Sequence, residues 1–470
     1  MKPTRRDFLQ TTAALAATGL LPQRAVAAIA GSGMTAFPAR EATLRLAPPG
    51  YPATAVWEYD SRTTGPALRV AQGARVQRRL VNELPQATSV HWHGLRSDNA
   101  MDGVAGLTQD AVATGDTFDY DFIAPDAGTY WFHAHNRSVE QMARGLYGAL
   151  IVEEPDAPDV DRDEVLILDD WLLDPETAQI DTDFSASHAR SHAGRIGNVV
   201  TTNGNPGLEL DVAKGERLRL RLINAANARI FVLALSGVEG WAMAYDGMPL
   251  AEPEKVAGPI VLGPGQRVDL FVDVTADAGE KAYLIRSEDK QGYAQVALNV
   301  TGAAAGTVAG ALRPAPPPLP PNPRMAVPGV EAAKRFKLVV EGGAMGKLDS
   351  AVLDGERKTF QQLADANQFW AFNGVVGMTD APLARLSRGE TARLEIFNGT
   401  SFPHAFHLHG MHFREIQQGG ALGPLRDTLL SFGGQAHEIA FVADNPGKWL
   451  FHCHMLSHAE AGMITWLDVA

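Results

Sequence analysis

Four histidine pairs of the form His-x-His are the most chemically informative feature of the sequence. In a β-strand, residues i and i+2 project from the same face, so each pair presents two imidazoles to one side. One such pair is weak evidence for a metal site, whereas four pairs in one chain indicate a cluster of imidazole-bound metal ions. The pairs are His91 and His93, His133 and His135, His407 and His409, and His452 and His454.

The only cysteine of the 470 residues, Cys453, lies between the two histidines of the last pair. Its side chain should therefore point to the opposite face of the strand. A buried free thiol is the ordinary reading of a lone cysteine. Here, however, the cysteine can meet His458, Met463 and the otherwise free His404. Two histidines, one thiolate and a weak methionine ligand form a blue-copper electron-transfer site, whereas thioether is not a usual zinc ligand.

A repeated pattern organises the chain into three units. Short segments that alternate apolar and polar residues lie between Gly, Pro and Asn turns, which predicts an all-β fold. In three segments a glycine precedes an asparagine by nine residues, and one histidine pair follows the first asparagine and another the third at the same offsets. The other two pairs follow Gly128 and Gly447 at matched offsets. The repeats are Gly73 and Asn82, Gly215 and Asn224, and Gly389 and Asn398.

The repeat predicts three consecutive β-sandwich units at 28–157, 158–305 and 330–470. A proline-rich linker at 306–329 joins the second unit to the third. The middle unit has Leu233 and Leu235 at the positions of a histidine pair, so it is interpreted as a spacer without metal. We therefore expect the paired histidines to converge where the first and third units meet.

The same offsets predict a single blue-copper site. The positions of the first unit that match the four candidate ligands of the third unit hold residues that are poor metal ligands. These residues are Thr88, Ala134, Val139 and Arg144. The site is therefore expected in the third unit only.

The amino terminus predicts export. Arg5 and Arg6 precede a short apolar run, and a small-residue cleavage site lies near residues 25–27, as in a twin-arginine signal peptide. We expect residues 1–27 to be removed, since the run is too short to anchor the chain comfortably in a bilayer. The remaining chain is more acidic than the net charge of −13 of the full sequence, which argues against nucleic-acid and anionic-membrane partners.

The histidine motifs read HWHG, HAH, HAFHLHG and HCHMLSHAEAGM. With them, the whole mature chain resembles the multicopper oxidase family in its three-domain, bacterial laccase-like or copper-efflux-oxidase-like form. The resemblance implies cupredoxin-like Greek-key domains and four copper ions. The ligands that it implies are His404, Cys453, His458 and Met463 for type 1 copper; His91 and His407 for type 2; and His93, His133 and His454 with His135, His409 and His452 for the type 3 pair.

The resemblance also implies a reaction. Four one-electron oxidations of phenols, aromatic amines or metal ions would be coupled to the four-electron reduction of O2 to two waters. Cys453 would carry electrons between the centres, and Asp102 matches a family acid that could supply protons. The implied protein is a periplasmic monomer, exported folded by the twin-arginine machinery, that meets O2 and a small reducing substrate. We expect that substrate to give up electrons at an exposed edge of His404 or His458.

Two positions and one segment depart from the family pattern. Ala405 replaces a proline, and Ala459 stands where an acid often follows the type 1 histidine, with Glu460 one step further. The segment 331–380 has only Met345 and Met378 in place of a methionine-rich insertion, which weakens the case for Cu(I) as a dedicated substrate.

Two alternatives remain open from the sequence. A periplasmic copper-tolerance protein could act mainly as a cuprous oxidase or a copper-sequestering factor. A relative of two-domain nitrite reductases is disfavoured by the three units and the four pairs. The other histidines are expected to lie outside the metal sites: His188 and His192 in a solvated loop, and His412 and His437 without matched partners.

Overall fold

Strands account for most of the regular secondary structure among the described residues, as the alternating apolar segments predict. The computed structural model describes residues 33–60, 67–303 and 313–470, so the predicted signal peptide at 1–27 lies outside the described residues. Three consecutive groups of strands each form two sheets that enclose an apolar core. The prediction of an all-β chain built from three sandwiches is confirmed.

The first sandwich consists of the sheets β2-β1-β4-β6 and β3-β8-β7-β5. Its core contains Phe37, Trp92, Tyr120 and Phe132, which come from both sheets. The strands are β1 Thr35–Leu44, β2 Thr54–Tyr59, β3 Leu68–Ala71, β4 Arg75–Asn82, β5 Val90–His93, β6 Thr117–Ile123, β7 Gly128–Ala134 and β8 Tyr147–Glu153.

The second sandwich consists of the sheets β10-β9-β12-β17-β14-β15 and β11-β19-β18-β13-β16. Aliphatic side chains dominate its core. The strands are β9 Arg162–Trp171, β10 Val199–Thr202, β11 Leu208–Lys214, β12 Arg217–Asn224, β13 Phe231–Ser236, β14 Val238–Tyr245, β15 Met248–Lys255, β16 Ile260–Leu262, β17 Arg267–Val274, β18 Lys281–Glu288 and β19 Gln291–Ala303.

The third sandwich consists of the sheets β23-β20-β25-β30-β27-β28 and β24-β32-β31-β26-β29, with the hairpin β21-β22 beside them. Its core includes Cys453 and Met463. The strands are β20 Lys334–Gly342, β21 Ser350–Leu353, β22 Glu356–Thr359, β23 Trp370–Phe372, β24 Ala384–Leu386, β25 Glu390–Asn398, β26 His404–Leu408, β27 Phe413–Ile416, β28 Leu422–Arg426, β29 Thr428–Ser431, β30 Ala436–Ala443, β31 Gly447–Cys453 and β32 Ile464–Val469.

The α-helices of the described residues are short and lie at connections between strands. The helix at Phe360–Asp365 begins with a capping box, in which Thr359 and Gln362 satisfy each other's backbone N–H groups. The helices are α1 Ser138–Ala143, α2 Ser187–Ser191, α3 Phe360–Asp365 and α4 Leu456–Glu460.

The structure explains the repeated glycines and asparagines. Each glycine precedes a strand with a positive φ, between 79° and 83°, a conformation that glycine adopts without strain. Each asparagine ends its strand fully buried, where its side chain satisfies the backbone of the following turn. In the first unit, Asn82 Nδ2 donates to Gln86 O at 2.9 Å and to Val112 O at 2.8 Å. Asn224 and Asn398 make the equivalent contacts in the second and third units.

Candidate metal centre

Paired strands in the first and third sandwiches carry the four histidine pairs. In the first, β5 and β7 place His91 opposite His133, and in the third, β26 and β31 place His407 opposite His452. The equivalent strands of the second sandwich, β13 and β18, place Leu235 opposite Leu284. Imidazoles thus stand at strand positions that the middle unit fills with leucines and one arginine, Arg286.

All eight paired histidines come together between the first and third sandwiches. The ring centroids of His93 and His407 are 3.6 Å apart, and those of His91 and His409 are 3.9 Å apart, although each of these pairs joins two sandwiches. Within three groups, the possible ligand atoms lie less than 4.8 Å from one another. The groups are His91, His93 and His407; His93, His133 and His454; and His135, His409 and His452.

Hydrogen bonds to the protein backbone fix which ring nitrogen faces inward. A peptide carbonyl can only accept, so His91 Nδ1 donates to Asp102 O at 2.7 Å and His407 Nδ1 donates to Asp427 O at 3.0 Å. Their Nε2 atoms are then unprotonated, buried and without a hydrogen-bond partner among the described residues. Two bare lone pairs from different sandwiches therefore point into the cluster.

Further nitrogens face each other across the cluster as lone pairs. His452 donates from Nδ1 to Cys453 O at 2.9 Å, and His409 donates from Nδ1 to the Asp102 carboxylate at 3.0 Å. Their Nε2 atoms, 3.1 Å apart, consequently both lack a proton. The same reasoning applies to His93 Nδ1 and His133 Nε2, which are 3.4 Å apart. Two lone pairs this close repel each other unless a cation lies between them. Imidazole nitrogens are suitable ligands for copper.

Burial favours the neutral form of seven of the eight imidazoles. Desolvation, followed by the repulsion of nearby histidines, lowers the pKa of His452 to about 3. Desolvation, followed by the repulsion of neighbouring rings, also places the pKa values of His133, His135, His409 and His454 well below the usual range. A neutral imidazole is the form that ligates a metal, so these histidines can bind metal ions at neutral pH without first losing a proton.

Two buried carboxylates touch the cluster. Asp102, which the sequence singled out, contacts His409 and His91. Asp427, which the sequence did not suggest, lies 3.2 Å from His93 Nε2 and 3.5 Å from His407 Nδ1. Its position follows from tertiary packing, because no offset in the repeat marks it.

The second sandwich supports the cluster rather than acting only as a spacer. Arg267, at the start of β17, makes a two-pronged ion pair with Asp427 at 2.8 and 2.7 Å. Burial opposes the ionisation of Asp427, but the Arg267 guanidinium and His93 hold its pKa well below the usual range. Gly265 packs so closely that a Cβ atom there would lie 2.9 Å from His454. The spacer interpretation is therefore incomplete: this unit holds no histidine of the cluster but fixes its carboxylate.

A second group surrounds Cys453 on the opposite face of β31. Its Sγ lies 3.6 Å from His404 Nδ1 and 3.9 Å from His458 Nδ1, and the two nitrogens are 3.1 Å apart. Met463 is fully buried in the same core, and its backbone pairs with that of Cys453 at 3.1 Å and that of His458 at 3.0 Å. The sequence neighbours of Cys453, His452 and His454, belong to the eight-histidine cluster.

The hydrogen bonds around this group also expose lone pairs inward. His458 Nε2 donates to the peptide carbonyl of His192 at 2.7 Å. His404 Nε2 lies 2.9 Å from Thr400 Oγ1, whose own proton is given to Asn398 Oδ1 at 2.7 Å, so the hydroxyl accepts from the ring. The Nδ1 atoms of both rings therefore face the sulfur without protons, as a metal ligand requires.

The same contacts correct one expectation about electron entry. The rings of His404 and His458 are fully buried, so neither offers an exposed edge to a substrate. The segment with His188 and His192, which was expected to be a solvated loop, packs against the site, because the carbonyl of His192 accepts a hydrogen bond from His458. Burial also raises the pKa of the Cys453 thiol to about 12. The thiol is thus protonated in the metal-free protein and must lose a proton when a metal binds.

The remaining sequence candidates lie outside both groups. Glu460 Oε1 accepts from Val139 N at 3.0 Å, and its Oε2 pairs with Arg190 at 3.1 Å. His437 pairs with Glu415 at 2.6 Å. His412 is buried 3.6 Å from Asp427 and, like His437, belongs to none of the ligand groups.

Comparison with known proteins identifies the family. Models described as multicopper oxidase match residues 42–157, 162–309 and 354–470. Multicopper oxidase MmcO of Mycobacterium tuberculosis is 31% identical over 89% of this chain and 84% of its own length. The structure of Lac15 from a marine microbial metagenome has 39% identity and a TM-score of 0.74, and it covers 93% of this chain and 100% of that one. A multicopper oxidase structure from Pseudomonas thermotolerans has 31% identity and a TM-score of 0.79, with coverage of 93% and 99%.

The chain therefore belongs to the multicopper oxidase family. It is a copper-dependent oxidoreductase that couples four one-electron oxidations of a reducing substrate to the reduction of O2 to two waters. A model of the twin-arginine translocation signal matches residues 2–22, so the chain is exported by that pathway to the periplasm. Among the described residues, none of the helices has the length and apolar character needed to cross a bilayer.

Proposed function

We propose that the chain binds four copper ions and oxidises phenols, aromatic amines or metal ions in the periplasm. The observation that carries the proposal is the set of inward lone pairs, above all the unprotonated Nε2 atoms of His409 and His452, 3.1 Å apart. The proposed ligands of the type 1 ion are His404, Cys453, His458 and Met463. The proposed ligands of the other three are His91 and His407; His93, His133 and His454; and His135, His409 and His452.

Bound copper supplies one-electron redox chemistry at the sulfur site and four-electron chemistry at the histidine cluster. The polypeptide itself connects the two sites, because Cys453 is covalently joined through its backbone to His452 and His454. An electron that reaches the sulfur then has a through-bond path to the rings that face the cluster. The burial of all three side chains also excludes water from that path.

The protein also has to deliver protons for the formation of water. We assign this role to Asp102, because its carboxylate lies inside the cluster at 3.0 Å from His409 Nδ1 and is only 3% exposed. Ala459 cannot serve as an acid. Glu460 is a weaker candidate, since Arg190 and the Val139 N–H already bind both of its oxygens.

We further propose that the molecule acts as a monomer with sandwich units at 28–157, 158–305 and 330–470 joined by the linker 306–329. The acidic net charge of −13 favours cationic or neutral donors over anionic ones. Methionine as the weak type 1 ligand should lower the potential relative to an apolar residue, so electron-rich donors are favoured.

Copper content, visible absorption and O2 uptake test the proposal together. The wild-type protein is expected to bind about four copper ions, show an intense blue band and consume about one O2 per four electrons. The Cys453→Ser variant is expected to lose the blue band and phenol oxidation while it keeps most of its copper. His437→Gln is the matched control, because His437 pairs with Glu415 outside both groups. A wild-type protein that is full of copper but colourless contradicts the proposal.

A further inference from the structure

The peptide of His192 lies against the outer side of the sulfur site. The outer nitrogen of His458 donates to His192 O at 2.7 Å, and that of His404 binds Thr400 Oγ1. Because both rings are fully buried, a donor molecule cannot touch either of them. Electrons must therefore cross a layer of protein, and the peptide of His192 is bonded directly to a ring of the site.

The ring of His192 has one nitrogen free for a ligand. Ser191 Oγ gives its only proton to Ser187 O at 2.6 Å, so it accepts the Nδ1–H of His192 at 2.9 Å. The Nε2 atom of His192 consequently carries a lone pair. A histidine whose second nitrogen is held by a hydrogen bond is the usual arrangement for a metal ligand.

A second imidazole lies directly against the first. His188 lies in the helix α2 and His192 is the residue that follows it. The N–H of His192 donates to His188 O at 3.0 Å, which brings the two residues together. Their centroids are 4.1 Å apart with an interplanar angle of 29°. His188 is exposed and His192 is half-buried, so the pair is open to solvent on one side.

Contacts with the third sandwich hold this short segment in place. Ala344 N donates to Ser191 O at 2.8 Å, Trp370 Nε1 donates to Arg190 O, and Ser187 Oγ donates to Asn367 at 3.0 Å. The helix is therefore ordered before any ligand binds. Preorganisation of this kind reduces the entropy cost of binding.

We propose that His188 and His192 form a docking site for an oxidisable metal ion of borderline or soft character, such as Cu(I) or Fe(II). Imidazole ligands suit copper, iron, nickel and zinc, whereas Mn(II) prefers oxygen ligands. The inference rests on the proposed function, since it needs a redox centre at Cys453. It replaces the exposed imidazole edge expected from the sequence with a pair of histidines, one residue layer further out, that holds the metal ion.

The redox step is a single electron transfer without bond formation. The docked Cu(I) loses one electron and leaves as Cu(II). The electron passes from the His192 ring through its main chain and the 2.7 Å hydrogen bond to His458, at the proposed type 1 site. Four such oxidations, with four protons from solvent, balance the reduction of one O2 to two waters.

Metal binding by the fully copper-loaded enzyme tests the site independently of turnover. Calorimetry with Ni(II), which has the right ligand preference and does not donate electrons here, should detect one ion beyond the resident copper. The double variant His188→Ala/His192→Ala should bind it at least about tenfold more weakly, which is a change of about 1.4 kcal/mol. The peptide carbonyl that holds His458 is retained in this variant. His437→Gln should bind Ni(II) as the wild-type does.

Kinetics with two donors provide the second readout. In the double variant, kcat/KM for Cu(I) should fall at least about tenfold relative to kcat/KM for a phenol, and Ni(II) should compete with Cu(I) but not with the phenol. Unchanged Ni(II) binding in the double variant, an absence of Ni(II) binding in the wild-type, or an equal fall for both donors overturns the inference. A wild-type enzyme without blue absorption instead overturns the proposed function, so the two failures are distinguishable.

Discussion

Substitution of Asp102 by alanine and by asparagine separates two effects of its carboxylate. Oδ2 lies 3.0 Å from His409 Nδ1, and Oδ1 lies 3.2 Å from His91 Nδ1. His91 also donates to the backbone carbonyl of residue 102 at 2.7 Å, and every substitution keeps that carbonyl. The loss of the carboxylate therefore falls mainly on the orientation of His409 and on any proton that Asp102 supplies.

The expected magnitudes differ between the two variants. A hydrogen bond to a charged group contributes about 1.5–3 kcal/mol, so Asp102→Ala should weaken copper binding at His409 by roughly 10- to 100-fold. The asparagine oxygen still accepts from His409, so Asp102→Asn should keep most of the copper affinity. Asparagine cannot exchange a proton, however, and loss of a general acid typically costs about 100-fold or more in rate.

Two assays distinguish these effects. Copper content is measured after equilibration with a graded series of chelator, and O2 uptake is measured with a saturating phenol from acid to neutral pH. Asp98→Asn is the matched control, because Asp98 is an exposed carboxylate of the same loop. If Asp102→Asn retains both its copper and its O2 turnover, the proton role is wrong. If Asp102→Ala holds copper as tightly as the wild-type, the orienting role is wrong.

Three further substitutions test the supporting contacts. Thr400→Val leaves the buried His404 Nε2–H without its acceptor. Copper at the sulfur site should then bind about 10- to 100-fold more weakly, and the blue band should shift. Thr400→Ser keeps the hydroxyl and should retain the copper affinity and the position of the band. An unshifted band in the valine variant contradicts this role. Arg267→Met leaves Asp427 buried without its guanidinium partner and should lower the free energy of unfolding by about 3–5 kcal/mol in urea denaturation, with Arg267→Lys less affected. A loss below about 1 kcal/mol would show that the pair is dispensable. Burial lowers the pKa of His412 to about 3, so the stability that its neutral form confers is present above the unfolded-state pKa of about 6.5 and is lost as the pH falls. His412→Gln should therefore reduce the loss of stability of the metal-free protein between pH 7 and pH 5 by about 2 kcal/mol, and an equal loss in both proteins refutes the assignment.

The strand-level organisation was predictable because it is encoded locally. The repeated Gly73 and Asn82 mark a turn and a strand end, and part of their structural role is local: the positive φ of Gly73 and the hydrogen bond from Asn82 to Gln86 O. The alternation of side chains along β31 likewise separates Cys453 from its two histidine neighbours. Fold class, family and reaction class follow from such local patterns and are confirmed by the comparisons.

The supporting contacts were not predictable, because they join segments that are distant in sequence. Asp427 meets Arg267 across 160 residues, and His458 meets the carbonyl of His192 across 266. A peptide carbonyl has no sequence signature, and no offset in the repeat marks Asp427 or Arg267. The expectation of an exposed ring at His458 is wrong for the same reason, since the covering loop comes from another sandwich.

By itself, the sequence determined which side chains face together on each strand, because the two-residue period of a β-strand is fixed by its covalent geometry. It thereby separated one sulfur-containing group from four imidazole pairs. Only the tertiary structure decided which nitrogen of each ring faces inward, which carboxylate lies beside it and what covers it. Those properties depend on hydrogen bonds between sandwiches, and packing sets these bonds only after the chain has folded.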